Sequence, residues 1–214
     1  MSTLQDWKKQ LGEAESRIAL RKRDRAIAAD ALVKREELLV VRKEALTFFT
    51  TAANTAQRKV SGVISAIVTN GVRLVHGKEY EFEVRFVTRR NSTEADLVLK
   101  KNGHEVDILG NSGLGVANII AITTRAALIL LGGRRDRFML LDEPTAALMV
   151  SKQELAGKVL QALCKNMGFQ IMLTTHSPEL AECADRVYHV SMNGAGESSV
   201  KLIQDKSEIR SLVE

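Results

Sequence analysis

Proline is nearly missing from this chain. Two occur among 214 residues, Pro144 and Pro178, and none stands before residue 144. Proline breaks helix interiors, so its absence leaves the first part of the chain free to form very long helices. Cysteine is as scarce. Cys164 and Cys183 are too few and too far apart for a disulfide framework or a zinc site, and read as small buried hydrophobes. No uninterrupted run of about 18 apolar residues occurs, so no membrane-spanning segment is expected. The opening MSTLQDWKKQ lacks the apolar centre of a signal peptide, which points to a cytoplasmic protein. Glycine is thin at the start as well, with Gly12 alone in residues 1–60.

What is present divides unevenly. Apolar residues make up 45% and charged residues 27%, enough for a core and too apolar for wholesale disorder. Residues 1–60 hold 13 Lys/Arg against 8 Asp/Glu, whereas residues 61–214 hold 18 of each. The whole surplus of +5 therefore belongs to the N-terminal segment. That excess is either a nucleic-acid footprint, with Arg21, Lys22, Arg23 and Arg25 as its densest cluster, or a solvated helix face.

Residues 1–60 are rich in Ala, Leu, Lys, Arg and Glu and read as one long helix, a coiled-coil arm. In a heptad frame the a positions are Leu4, Leu11, Ile18, Arg25, Leu32, Leu39 and Leu46, and the d positions are Trp7, Ala14, Arg21, Ala28, Arg35 and Arg42. This one-sided seam suits a different helix carrying its own apolar residues and acids better than a second copy of itself. Residues 61–214 read as a separate lobe. Helix continues through Val60–Val75. Tyr80, Phe82, Val84 and Phe86 then alternate with polar residues as a half-buried strand, and Ala95–Lys100 and His104–Leu109 flank the hairpin signal Asn102-Gly103. An antiparallel β meander is therefore expected. After a glycine-rich turn over Gly110–Gly115, the pattern gives a buried helix (Val116–Leu131) and a short buried strand (Arg137–Leu141). A helix over Ser151–Met167 follows, opened by a capping box of Ser151 and Glu154, then a second buried strand (Phe169–Thr174) and a short helix (Pro178–Ala184). Two final strands, Arg186–Met192 and Ser198–Ile203, complete the lobe. Strand–helix–strand implies parallel pairing, and the fold class is α/β.

Four strings carry chemistry. Phe138-Met139-Leu140-Leu141-Asp142-Glu143 has the Walker B pattern, a buried strand ending in carboxylates. Asp142 would hold Mg²⁺ and Glu143 would polarise an attacking water. Pro144-Thr145-Ala146-Ala147-Leu148 follows where ABC-type ATPases place the D-loop. The next apolar strand ends in Thr174-Thr175-His176-Ser177-Pro178, where His176 could contact a γ-phosphate. Upstream, Asn111-Ser112-Gly113-Leu114-Gly115 opens a helix, and a serine with backbone amides at a helix N-terminus forms an anion site. Each string alone could be ordinary structure; their order is what points to a nucleotide site.

With these motifs in place, residues 57 to 205 resemble the C-terminal lobe of SMC-like, SbcC-like DNA-repair ATPases, especially phage and bacterial relatives. The resemblance runs through QRKVSGVISAIVTNGV, YEFEVRFV, GNSGLGVANIIAITTRAALIL, FMLLDEP and GFQIMLTTHSPELAECADRVYHV. It implies the C-terminal half of an ABC-type head, preceded by the descending arm of a coiled coil. Two such heads dimerise around ATP and Mg²⁺. It further implies that Ser112, Gly113 and Gly115 form the signature and that Arg125 is a basic residue on its helix. Asp142, Glu143 and His176 would be the nucleotide groups.

The pattern also has gaps. Gly71-Val72-Arg73-Leu74-Val75-His76-Gly77-Lys78-Glu79 has the wrong glycine spacing, a glutamate where Mg²⁺ needs a hydroxyl, and a helix before it rather than a strand, so it is no Walker A loop. No ascending coil or glutamine loop is found. Leu114 replaces the usual second signature glycine, Gly115 the usual glutamine, and Met149 the D-loop aspartate. ATP hydrolysis by the chain alone is not expected. Two functions remain open. One is half of a split DNA-repair or recombination ATPase, completed by a Walker A-bearing partner and working on DNA, with an SbcD-like nuclease as a further partner. The other is a non-catalytic module that binds DNA or regulates a partner ATPase, as an inhibitor for instance. Either implies a homo- or hetero-oligomer. The chain could equally be a fragment of a longer product.

Overall fold

The computed structural model describes residues 3–90, 92–110, 112–133 and 136–212. The chain separates into two compact units, Met1–Ala56 and Gln57–Glu214. Helix α1 (Leu4–His76) contributes to both.

In the first unit the described residues from Leu4 onward are helical, and every one is exposed except Ala14, which is half-buried. The apolar a-position side chains are 51–74% exposed, so the seam is uncovered among the described residues of this unit.

The second unit begins with the remainder of α1, followed by β1 (Tyr80–Arg89), β2 (Ser92–Lys101) and β3 (His104–Val106). These strands form an antiparallel sheet in the order β1-β2-β3. Asn102 and Gly103 both take positive φ, 52° and 80°, as the tight hairpin requires. β3 stops at Val106, short of the expected Leu109. Asp107 turns the chain there, its carboxylate accepting from the Leu109 amide at 3.0 Å and its carbonyl from the Ser112 amide at 3.2 Å.

β1 is an edge strand, and its outward backbone groups are met by a polar stripe on α1. The Ser61 hydroxyl donates to the Val84 carbonyl. The Val84 amide donates to Ser65 Oγ at 3.0 Å. The Thr69 hydroxyl accepts from the Phe82 amide at 2.9 Å and donates to the Phe82 carbonyl at 3.1 Å. Arg73 Nε donates to the Tyr80 carbonyl at 2.7 Å. The four side chains lie four residues apart. Four helical residues rise about 6 Å and two strand residues about 6.7 Å, so the two repeats stay in step from Ser65 to Arg73, while Ser61 shares Val84 with Ser65.

α2 (Leu114–Leu131) starts two residues earlier than expected. It is long and apolar enough to cross a membrane by length and composition. Here it lines two core clusters. Val116, Ile119 and Ile120 pack with Val68, Val72 and Phe82, while Ile122 and Ala126 pack with Met139, Leu141 and Phe169. Gly71 lets α1 approach: a Cβ there would stand 2.6 Å from Thr123 Cγ2 on α2.

β4 (Phe138–Asp142), α3 (Val150–Met167) and β5 (Gln170–Thr174) form a parallel strand–helix–strand unit. The expectation of buried strands holds on one face only. Met139 and Leu141 are buried, but Phe138, Leu140 and Met172 are 48%, 64% and 61% exposed. Among the described residues β4 pairs only with β5, and core packing reaches one face alone.

The expected capping box also fails. Leu148 is buried and fixes the preceding turn, so α3 starts at Val150 with Met149 as its N-cap. Ser151 falls inside the helix, and Glu154 pairs with Lys158 at 2.8 Å. α4 (Pro178–Ala181) is shorter than expected, because Cys183 and Ala184 donate to carbonyls three residues back. β6 (Val187–Met192) and β7 (Ser198–Ile203) form a separate antiparallel hairpin and do not extend the parallel pair. Cys164 and Cys183 are free and half-buried, and burial pushes both thiols up.

Thr69→Val keeps the shape of the buried Thr69 side chain but leaves both the Phe82 amide and carbonyl without a partner. The expected cost is about 1–3 kcal/mol, read as a lowered urea midpoint, with a smaller loss for the more exposed Ser61→Ala.

Candidate functional site

The parallel register places Asp142 opposite Thr174 at the C-terminal ends of β4 and β5. Both lie on the same face as Leu140 and Met172, the face the core does not reach. The Thr174 hydroxyl donates to Asp142 Oδ1. Glu143 follows with φ 42°, a left-handed conformation costing a non-glycine residue about 1–2 kcal/mol. Its amide is held by the Thr174 carbonyl at 3.2 Å and the Thr174 hydroxyl at 3.4 Å. Its carbonyl accepts from the Ala146 amide at 3.2 Å and so starts the next turn.

His176 stands across from Glu143, with Nε2 3.5 Å from Glu143 Oε1. Its side chain is 95% exposed. The neighbouring hydroxyls shape the loop that presents it. Thr175 Oγ1 accepts from the Ser177 amide at 3.0 Å, and Ser177 Oγ caps α4 by accepting from the Leu180 amide at 3.1 Å. Three of the residues read from the sequence, Asp142, Glu143 and His176, are thus brought together.

The glycine-rich turn takes a second position. Asn111 lies outside the described residues. The Ser112 hydroxyl donates to the Asp107 carbonyl at 2.9 Å. Gly113 is exposed with φ 80° and is the N-cap of α2, where no side chain caps the first-turn amides. Gly115 packs against the turn after Glu143: a Cβ would meet Leu148 Cδ2 at 2.8 Å and the Ala147 carbonyl at 3.2 Å. Asn118 Nδ2 reaches the Pro144 carbonyl at 3.5 Å. The start of α2 and the turn after β4 are therefore in contact. Arg125 is exposed ten residues beyond Gly115, about 15 Å along the helix, and is not part of this cluster. Arg21, Lys22, Arg23 and Arg25 are exposed on the first unit's helix. Arg25 neighbours both Arg21 and Lys22 on the helix surface while Arg23 points away, since successive residues turn by about 100°.

Sequence reading missed Thr174, Asn118 and the pair His76–Lys152. Lys152 Nζ lies 3.1 Å from His76 Nδ1. An ammonium can only donate, so Nδ1 accepts and the imidazole proton sits on Nε2, which is buried with no hydrogen-bond partner among the described residues. Their signal was weak: a lone histidine at a helix end and a lysine in a helix first turn.

The donor set suits a hard cation bound with a nucleotide. Asp142, Glu143 and Thr174 offer oxygen ligands. Among the described residues no group of three or more His, Cys, Asp or Glu side chains could hold a metal by itself. Mg²⁺ is usually held by one or two carboxylates with phosphate oxygens completing its shell.

No family model matches the chain. Over 101 residues, 46% of the chain, it is 35% identical to the DNA double-strand break repair Rad50 ATPase of Methanopyrus kandleri, covering 11% of that protein. Solved structures are similar over more of the chain. The Smc head domain with a coiled coil and joint from Pyrococcus yayanosii matches 84% of this chain and 34% of its own, with TM-score 0.61 and 18% identity. The Pyrococcus furiosus Smc head domain with an extended coiled coil, bound to the C-terminal domain of ScpA, matches 95% and 53%, with TM-score 0.58 and 20% identity. A chain from work on ATP-driven dimerisation and DNA-stimulated activation of SMC ATPases matches 74% and 94%, with TM-score 0.56 and 20% identity. The chain has the fold of these Smc head domains, with a long N-terminal helix and antiparallel strands.

His76 supplies a pH prediction. Burial, then the charge of Lys152, push its imidazole down, outweighing the Gly115 carbonyl and Glu79. The native state then binds fewer protons than the unfolded chain. Stability from this group is full above about pH 6.5 and is lost as pH falls through the lower folded value. Urea midpoints should fall from pH 7 to pH 5, with a shallower fall in His76→Gln.

Proposed function

From the fold of an SMC-like head as premise, we propose that this chain is the C-terminal half of a split SMC-like ATPase. A Walker A-bearing partner completes it, and the assembly acts in DNA repair or recombination. One observation carries the reading: Asp142, Thr174, Glu143 and His176 converge at the end of a two-stranded parallel sheet whose other face is bare. Parallel sheets are normally covered on both faces. Phe138, Leu140 and Met172 are therefore the surface for the partner lobe, and the carboxylates at its rim meet what that lobe holds.

Bound Mg²⁺ would neutralise phosphate charge at Asp142. Glu143 orients a water and takes up its proton, and the exposed His176 beside it contacts the terminal phosphate. Ser112, Gly113 and the uncapped amides opening α2 offer an anion site to a second head, with Gly115 fixing that loop on the turn after Glu143. The basic surplus of the first unit, including Arg21, Lys22, Arg23 and Arg25, suits DNA. Its apolar seam suits a partner helix. An SbcD-like nuclease and a cytoplasmic location belong to the same reading. Among the neighbours, SMC ATPases undergo ATP-driven dimerisation and DNA-stimulated activation, and a Pyrococcus furiosus head binds ScpA.

A second reading, a non-catalytic DNA-binding or ATPase-regulating module, is favoured by the use of signature residues as structure. The Ser112 hydroxyl is committed to Asp107, and Gly115 is packed on Leu148.

Mixing the chain with a Walker A partner encoded beside it should give ATP turnover that neither has alone. Glu143→Gln should lower that turnover by about 100-fold or more. Leu140→Asp, on the bare face, should abolish complex formation in gel filtration while leaving the chain's own unfolding midpoint unchanged. Unchanged turnover in Glu143→Gln would sink the catalytic reading. DNA binding that ignores nucleotide, and is lost when the four basic residues are neutralised, would establish the second.

A further inference from the structure

Thr174 is the residue through which the two carboxylates at the strand ends are tied together. Its hydroxyl has two partners, and their chemistry fixes its direction. The Asp142 carboxylate can only accept, so the hydroxyl proton points to Asp142 Oδ1. The Glu143 amide can only donate, so it approaches a hydroxyl lone pair, at 3.4 Å. The Thr174 carbonyl takes the same amide at 3.2 Å. Glu143 is thereby held at φ 42°, a conformation its side chain does not favour, with its carboxylate 3.5 Å from His176. Thr175, the next residue, makes none of these contacts; its hydroxyl serves the Ser177 amide at 3.0 Å. The two adjacent threonines thus have different tasks.

We propose that Thr174 is a positioning residue, whose single hydroxyl fixes the Asp142 carboxylate and holds Glu143 in its left-handed turn, so that the two acids keep separate directions. Its meaning for catalysis rests on the ATPase reading; the clamp itself does not. Without the hydroxyl, Asp142 is free to rotate and the Glu143 amide keeps only the strand carbonyl. Glu143 then relaxes toward ordinary φ and its carboxylate leaves His176.

Thr174 is exposed, so Thr174→Val retains the strand's β-branched shape and removes the hydroxyl at little cost to folding. Thr174→Ser retains the hydroxyl. Amide exchange and backbone chemical shifts of Glu143 are measured by NMR on the full chain alone, with the unfolding midpoint as control. Thr174→Val should speed Glu143 exchange about tenfold and move its shifts out of the left-handed range, with the midpoint unchanged. Thr174→Ser should stay within about twofold of the native chain. Native-like exchange and shifts in Thr174→Val would overturn the clamp, as would a serine variant that behaves like the valine variant. Neither readout needs nucleotide or partner, so a failed clamp is distinct from a failed ATPase reading. In an active mixture, Thr174→Val should raise the half-saturating Mg²⁺ concentration several-fold, with the ATP KM unchanged; the reverse split would also overturn it.

Discussion

The lobe depends on how one edge strand is kept from water. A strand at the rim of a sheet presents unpaired amides and carbonyls, and most proteins shield them with charge, bulges or brevity. Here the shield is a helix. Ser61, Ser65, Thr69 and Arg73 supply side-chain partners to Tyr80, Phe82 and Val84 in place of another strand. The apolar side of the same helix, through Val68 and Val72, enters the core next to Phe82 and Leu99. One helix thus serves two needs, burying the sheet's apolar face and satisfying its edge. The helix position then fixes α2, since Gly71 against Thr123 permits only a close crossing. α2 in turn sets the turn after β4 through Gly115 and Asn118. The carboxylates at the strand ends inherit their place from this chain of contacts.

Much of this was legible in the residues. Long helices follow from the missing proline and glycine, β1 from its alternation, and the hairpin from Asn102-Gly103. These signals are local, and local chemistry settles them. The ladder was not legible, because Ser and Thr inside a helix look neutral until the strand they face is known. The Ser151–Glu154 signature misled for a related reason. A capping box is a local preference, and the burial of Leu148 overrode it by starting the helix one residue early. The apolar runs of β4 and β5 suggested buried strands, and burial reaches one face alone. An apolar run records what a strand is built to touch, not what this chain provides to touch it.

At the site, Asp142, Glu143 and His176 stood out because acids and a histidine after apolar strands are unusual. Thr174 did not, since a threonine beside a second threonine carries no distinctive signal; only strand register shows which of the two faces Asp142. The glycine turn read as an anion site, yet Gly115 also has a packing task against Leu148. A small residue there would answer either need, and sequence cannot separate them.

The bare face of the β4–β5 pair has a consequence for how the chain behaves in a cell. Phe138, Leu140 and Met172 are apolar groups left in water. Whatever covers them binds the folded form and not the unfolded one, and so adds to its stability by mass action, more at higher partner concentration. Under the proposed split assembly, the folded population of this chain would become a measure of how much partner is present. In such an assembly, supply of the two components would be matched by persistence of the paired form and clearance of the surplus, with no separate regulator required.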